Sequence, residues 1–213
     1  MFGGPPTQLY SQKIRFAWQE SDSWHSEAVY QQAATGFYGL SMATDENGPI
    51  VAFPGGNPGA QICDGGDMMV ARRNGPGSWN LQIAVADSDD ALAGDDCPVS
   101  QSACDTGDVV GWWPSVAVAP NGIIGLTYRD IHTAASGYDA DTADLEFAYS
   151  TGSDYYNDWI DPGTGGGLSS RLVFDDENEP VVVAYNPTLR TISLTRRWTD
   201  DFIGHPVCWD DDD

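Results

Sequence analysis

The chain has 213 residues, 41% of them hydrophobic, and its 32 acidic residues against 9 basic ones give a net charge of −23. This charge repels phosphate backbones and anionic lipid surfaces, which argues against nucleic-acid binding, and no apolar run approaches the roughly 20 residues of a membrane helix, so we expect no membrane insertion. At this length we expect a single domain over residues 1–209, followed by an acidic tail at residues 210–213.

The chain predicts an all-β fold, because it has 24 Gly and 13 Pro, many short apolar runs and no long helical period. The first predicted unit is partial and covers residues 8–30. Residues 13–30 supply two strands, and only a stub at residues 8–10 precedes them. The second predicted unit, residues 39–86, contains four short strands, with a tight turn expected at Asn47-Gly48.

The third predicted unit, residues 112–162, is the most complete. A strand at residues 114–118 leads through the turn dipeptide Asn121-Gly122 to an apolar strand at 123–128, which we expect to be buried on both faces. A third strand follows at residues 145–149, and a fourth is expected to begin at Trp159. The fourth unit, residues 167–209, repeats this order.

The third strand of each unit carries the clearest repeat, at residues 14–17, 68–71, 145–148 and 192–195. Four-stranded repeats of about 40–50 residues are typical of β-propeller blades, so the chain predicts about three and a half blades. A β-sandwich of short strands is the alternative. Since propellers close with about 4–8 blades, we expect self-association or neighbouring blades of a larger protein.

Long connections gather on one face of such a propeller, and this face carries the four cysteines. Cys97 and Cys104 lie in one acidic loop and are expected to form a local disulfide, which leaves Cys63 with Cys208; four cysteines allow three pairings. Disulfides and an acidic, lysine-poor composition indicate an extracellular or cell-surface protein, although residues 1–30 show no signal peptide.

An alternating acidic stretch in one of these loops is a candidate calcium site, formed by Asp139, Asp141, Asp144 and Glu146. Calcium takes six to eight oxygen ligands, which acidic loops supply. The stretch lacks the central glycine of an EF-hand, so we expect an irregular calcium loop. A solvated acidic surface is the alternative.

A candidate ligand site contains Trp112 and Trp113, expected at the end of the longest loop beside the central channel. Neighbouring aromatic rings can stack on a sugar. Arg129 and His132, in a loop of the same face, are the nearest candidate polar partners. By contrast, Trp24, Trp79 and Trp159 recur after the third strands, which indicates packing within the units. No catalytic motif is present, so we assign no catalytic residue.

The turns between third and fourth strands share a pattern, with Ser150, Gly152, Asp154 and Trp159 in one unit and Arg73, Gly75, Gly77 and Trp79 in another. This pattern resembles a degenerate Asp-box of BNR and sialidase-like propellers, and the repeats resemble blades of large secreted bacterial surface proteins. No copy matches the strict Ser-x-Asp-x-Gly-x-x-Trp form. Sialidases also hold a carboxylate with three arginines, whereas the arginines here lie mostly on predicted strands or short turns, so the resemblance implies architecture alone.

These observations favour a non-enzymatic extracellular binding or structural module, stabilised by calcium, that presents its loop face to a glycan or a protein. A sialidase-like glycoside hydrolase or lyase is the second hypothesis. A surface or filament scaffold that assembles with itself through open strand edges is the third.

Overall fold

The computed structural model describes residues 11–33, 39–55, 67–85, 109–131, 133–134, 137–138, 144–151, 154–161, 167–197 and 209–211. Within these ranges the protein contains sixteen β-strands, and every paired neighbour is antiparallel. The described part of the chain contains no helix long and apolar enough to cross a membrane. The predicted all-β class with four-stranded antiparallel sheets is confirmed.

The described strands form four successive main sheets and one short two-stranded pair. The first sheet has two strands, β1 (Ser11–Glu20) and β2 (Ser23–Ala33). The second has the order β3 (Ser41–Asp45), β4 (Gly48–Gly55), β5 (Asp67–Gly75) and β6 (Ser78–Val85).

The third sheet has the order β7-β8-β11-β12, and the short strands β9 and β10 pair with each other between β8 and β11. Their bounds are β7 (Val109–Val118), β8 (Ile124–Ile131), β9 (Thr133–Ala134), β10 (Gly137–Tyr138), β11 (Asp144–Thr151) and β12 (Asp154–Asp161). The fourth sheet has the order β13 (Leu168–Phe174), β14 (Pro180–Asn186), β15 (Thr191–Arg197) and β16 (Trp209–Asp211).

Consecutive sheets pack face to face, and each interface has its own apolar core. Ile14 and Tyr30 of the first sheet pack with Phe53 of the second. Ile50, Met68 and Val70 of the second sheet pack with Leu126 and Tyr128 of the third. The third and fourth sheets meet through a further set of buried residues, Leu145, Phe147, Ile160, Leu172, Val182 and Ala184. Four small sheets stacked in series are the arrangement of propeller blades, whereas a sandwich has two large sheets.

The strand β8 lies at the centre of this stack. Its residues from Ile124 to Asp130 are all buried, which confirms the prediction of an apolar strand covered on both faces. Side-chain oxygens tie the first strands of neighbouring sheets together. The backbone N–H of Val116 donates to Ser41 Oγ at 3.1 Å, and that of Leu172 donates to Ser115 Oγ at 3.0 Å.

Short turns close the ends of the strands with side-chain acceptors. Asp45 Oδ1 accepts the N–H groups of Asn47 and Gly48 at 2.8 and 3.0 Å, in the manner of an Asx turn. The turn lies one residue earlier than the predicted Asn47-Gly48 dipeptide, because Asp45 and Gly48 already pair in the ladder.

Several predicted strand limits are wrong by a few residues. The strand β7 begins at Val109 and not at residue 114, and β12 begins at Asp154, so Trp159 lies near the end of its strand. The last described strand of the fourth sheet is β16, whose Asp210 and Asp211 pair with Arg196 and Thr195. Two residues expected in the tail therefore extend the sheet.

Candidate functional site

The candidate site lies at one end of the third sheet, where β8 ends and β7 and β11 begin. The ladder places Trp112 and Leu145 on either side of Arg129, and it places Glu146 opposite Tyr128. Three of the residues predicted as ligand-binding, Trp112, Trp113 and Arg129, are thus brought together.

Both tryptophans lie within β7, and the prediction that they lie in the preceding loop is wrong. The ladder between β7 and β8 shifts register on each side of Trp112, and the backbone has positive φ at Gly111 (89°) and Trp113 (49°). Bulges of this kind re-aim side chains at the end of a sheet. The two tryptophan rings meet edge to face with centroids 5.4 Å apart, and both are half-buried.

The backbone of β7 at this point is held between two neighbouring segments. A Cβ atom added to Gly111 would lie 3.0 Å from the Cα of Met68, and one added to Gly39 would lie 3.2 Å from the Cα of Trp113. Glycine at both positions allows this close approach. The main chain that carries the tryptophans is therefore tightly constrained.

Arg129 was expected in a loop but is a buried residue of β8, with 3% of its surface exposed. Its guanidinium carbon lies 5.6 Å from the centroid of the Trp113 ring. A cation over an aromatic face stabilises both groups when they are shielded from water. Arg129 thus supports the Trp113 ring from within the protein.

Tyr128 and Glu146 lie on the opposite face of the same strands, in the interface with the second sheet. The Tyr128 hydroxyl donates a hydrogen bond to Glu146 Oε2. The exposed fraction is 0% for Tyr128 and 4% for Glu146, and Tyr128 belongs to the apolar core. This pair joins β8 to β11, and its hydroxyl has no surface that could reach a ligand.

Two further carboxyl groups at this end of the sheets are buried, Asp67 at the start of β5 and Asp130 near the end of β8. Sequence reasoning missed Asp130. The available signal was an acidic residue two positions after a predicted apolar strand.

The other predicted site residues fall outside the described ranges. They are His132, the calcium-loop residues Asp139 and Asp141, and the cysteines Cys63, Cys97, Cys104 and Cys208. Asp144 begins β11 and pairs with Asp130 in the ladder, but the structure does not describe its side chain. Among the described residues, no three His, Cys, Asp or Glu side chains lie together as a metal-binding group. Glu146 is the one calcium candidate with a described side chain, and that side chain is directed to Tyr128.

A second polar cluster joins the first two sheets and was not foreseen. Glu27 accepts hydrogen bonds from Arg73 Nε at 2.7 Å, from Trp79 Nε1 at 2.9 Å and from the backbone N–H of Gly77 at 2.7 Å. The hydrogen bond from Arg73, aided by those from Gly77 and Trp79, lowers the pKa of Glu27 to about 2. The Arg73 guanidinium carbon also lies 4.8 Å from the Trp18 ring centroid.

Trp79 and Trp24 contrast sharply. Trp79 packs against Phe16 in the first interface, as predicted, whereas Trp24 is 74% exposed. The prediction that Trp24 packs within its unit is wrong. Its ladder partner Gln19 lies on the face of the first sheet that points away from the second sheet.

Comparisons with known proteins add the following. No family model matches the chain, and no curated protein matches its sequence. Among solved structures, the chain is similar to a mutant of Trypanosoma rangeli sialidase displaying trans-sialidase activity, with 11% sequence identity and a TM-score of 0.47. The alignment covers 94% of this chain and 34% of that one, so the chain spans about a third of the sialidase.

Proposed function

We propose that this chain is a non-enzymatic binding or structural module that acts outside the cell and holds a glycan against Trp112 and Trp113. The observation that carries this proposal is the half-buried tryptophan pair at the loop-bearing end of the third sheet, with its rings 5.4 Å apart. A sugar offers an apolar ring face and a hydroxyl rim. Aromatic side chains at the mouth of a site suit the ring face.

Rigidity supports this role. Binding is weakened when side chains must be ordered on contact with the ligand. Here the Trp113 ring has Arg129 beneath it, and its main chain lies against Gly39. The tryptophan surface is therefore formed before the ligand arrives.

The hydrolase alternative receives less support from the same end of the sheet. Tyr128 and Glu146 are a hydrogen-bonded tyrosine and carboxylate, but Tyr128 has no exposed surface. A catalytic group must come within hydrogen-bond reach of its substrate. We therefore assign this pair to the packing of the second and third sheets.

Glycan binding can be tested by calorimetric titration with a panel of neutral and acidic oligosaccharides. We expect Trp112→Ala and Trp113→Ala each to weaken binding by roughly 30-fold, which corresponds to the loss of about 2 kcal/mol at an aromatic contact. Trp24→Ala is the control, because Trp24 is an exposed tryptophan of the first sheet, away from the proposed glycan site. Equal losses in all three variants, or no binding by the wild type, would contradict the proposal. Release of sugar from a chromogenic glycoside panel would favour the hydrolase.

The same proposal includes calcium in the connection between β8 and β11, with oxygen atoms from Asp139, Asp141 and Asp144. In this proposal Glu146 is not a calcium ligand. Its hydrogen bond with Tyr128 fixes the start of β11, next to the calcium loop. The proposed extracellular location also permits two disulfides, formed by Cys63, Cys97, Cys104 and Cys208.

We expect calcium to raise the melting temperature. A ligand that binds only the folded state stabilises it by about 2.7 kcal/mol at a hundred times its dissociation constant. The measurement compares excess calcium with EDTA at matched ionic strength, so that screening of the −23 charge is not mistaken for binding. Magnesium should have little effect, and Asp139→Asn with Asp141→Asn should abolish the shift. An equal response to both metals would assign these residues to a solvated acidic surface.

A further inference from the structure

The fourth sheet exposes one apolar face. Its members are Val173 on β13, Val183 and Tyr185 on β14, and Ile192 and Leu194 on β15, with exposed fractions from 39% to 75%. The ladder places Tyr185 opposite Ile192 and Val183 opposite Leu194, so their side chains form a continuous surface. We call these five residues the open face.

The opposite face of this sheet is covered. Leu172, Val182 and Ala184 alternate with the residues of the open face and pack against the third sheet. In the described part of the chain, every other interface between sheets is formed by one apolar sheet face covering another. The open face has the same composition, so its natural occupant is another β-sheet.

The three strands that form the open face carry little net charge. Residues 168–197 contain four arginines and four acidic residues, Asp175, Asp176, Glu177 and Glu179, so this segment is neutral within a chain of net charge −23. Arg171 is exposed beside Val183 on the open face. Residues 168–197 therefore add little charge repulsion when two such chains meet at the open face.

We propose that the open face docks against the same face of a second copy of this chain, related by a twofold axis. The first sheet, at the other end of the stack, is less suited to a contact with a second copy. The outward side of the first sheet exposes the polar side chains of Lys13, Arg15 and Gln19 beside Trp24, a mostly polar surface. A twofold contact instead pairs two apolar faces of equal shape.

The turns of the fourth sheet specify the direction of the axis. The turn between β13 and β14 exposes Asp176 and Glu177 at one end of the strands, and the turn between β14 and β15 exposes Arg190 at the other end. A twofold axis perpendicular to the strands brings each Arg190 to the acidic turn of the partner. The charges at both rims are then complementary.

The size of the face sets the strength of the contact. Three strands of seven residues span about 23 Å by about 14 Å, which is a footprint of roughly 300 Å². Stable interfaces bury about 800 Å² on each partner, so we expect the dimer to be weak and to form only at high protein concentration. It is independent of the proposed glycan site, which lies on the third sheet.

Sedimentation velocity over a series of protein concentrations tests the proposal. At near-physiological salt we expect the wild type to shift from the mass of one chain to the mass of two as concentration rises. Val183→Asp, at the centre of the open face, should raise the dissociation constant at least tenfold. Leu81→Asp is the matched control, because Leu81 on β6 is 40% exposed against 41% for Val183 and the charge change is identical.

A charge exchange provides a second test that leaves the apolar face intact. Arg190→Glu should weaken the dimer, and adding Asp176→Arg should restore it, because the twofold axis then pairs the exchanged charges again. Circular dichroism verifies that each variant is folded. A wild type that keeps the mass of one chain at every concentration would overturn the proposal, as would a dimer that Val183→Asp leaves unchanged.

Discussion

At the scale of single residues, the carboxylate of Glu27 links the first sheet to the second. It accepts four hydrogen bonds from Arg73, Gly77 and Trp79, and the Arg73 guanidinium lies over the Trp18 ring. The side chains of Arg73 and Glu27 are 20% and 11% exposed, so the ion pair is largely shielded from water. A shielded, geometrically complete pair stabilises more than the usual surface ion pair.

The Glu27 pair makes stability depend on pH in a defined direction. Because the pKa of Glu27 falls from 4.5 to about 2 on folding, the unfolded chain takes up the proton first as pH decreases. The contribution is therefore complete above about pH 4.5 and is lost as pH falls towards 2. We expect Glu27→Gln to reduce the free energy of unfolding at neutral pH by about 1.5–3 kcal/mol, the range for hydrogen bonds to charged groups.

Urea unfolding of the wild type and Glu27→Gln across this pH range provides the measurement. The quantity to compare is the difference in unfolding free energy between the two proteins, since many other carboxylates titrate in the same pH range. The difference in unfolding free energy should narrow towards pH 2, where the wild-type Glu27 carboxylate is also becoming protonated. A free-energy difference that stays constant with pH would show that Glu27 stabilises the fold through its packing and not through its charge.

At the scale of elements, the close approach of β8 and β13 depends on Gly125. A Cβ atom added there would lie 2.5 Å from Phe174 Cζ and 3.0 Å from Leu172 Cδ2. Both neighbours belong to the core between the third and fourth sheets. No larger residue fits without separating the two sheets or displacing the Phe174 ring.

We expect Gly125→Ala to destabilise the protein by about 1–3 kcal/mol, as overpacking of a core does. Phe174→Leu makes room at the same point, so the double variant should lose less stability than the sum of the two single variants. Thermal or urea unfolding of the four proteins measures this coupling. Additive losses would mean that the contact between Gly125 and Phe174 does not limit the packing of the sheets.

The elements also show how far the sequence predicts the fold. The third strands at β1, β5, β11 and β15 were identified because each has a compact apolar motif, and the central strand β8 because its apolar run is uninterrupted. The start of β7 was missed, since Gly111 and Pro114 are residues that interrupt a strand pattern. Only the ladder to β8, with its register shifts, makes them a strand.

The candidate site was only partly predictable for the same reason. Trp112 and Trp113 stand out in the sequence, and Arg129 was chosen as a neighbour, but its burial beneath Trp113 depends on the pairing of β7 with β8. Glu27 and Arg73 lie 46 residues apart, and no local pattern indicates that they meet. Long-range pairing of this kind is determined by the stacking of sheets.

At the scale of the whole molecule, burial decreases from the centre of the stack to its ends. Residues Ile124 to Asp130 of β8 are completely buried, and β8 is paired with both β7 and β11. The first sheet has two strands in the described part of the chain, and one of its faces is exposed. Local opening is easiest where few buried contacts must be broken.

We therefore expect amide hydrogen exchange to be slowest in β8 and much faster in β1 and β2, measured by mass spectrometry of peptides under native conditions. Glu27→Gln should speed exchange in β1 and β2 and leave β8 unchanged, because the Glu27 carboxylate joins the first sheet to the second. If the variant instead speeds exchange in β8 as well, the four sheets open as one cooperative unit. In that case a single hydrogen-bonded carboxylate at one end would set the stability of the whole stack.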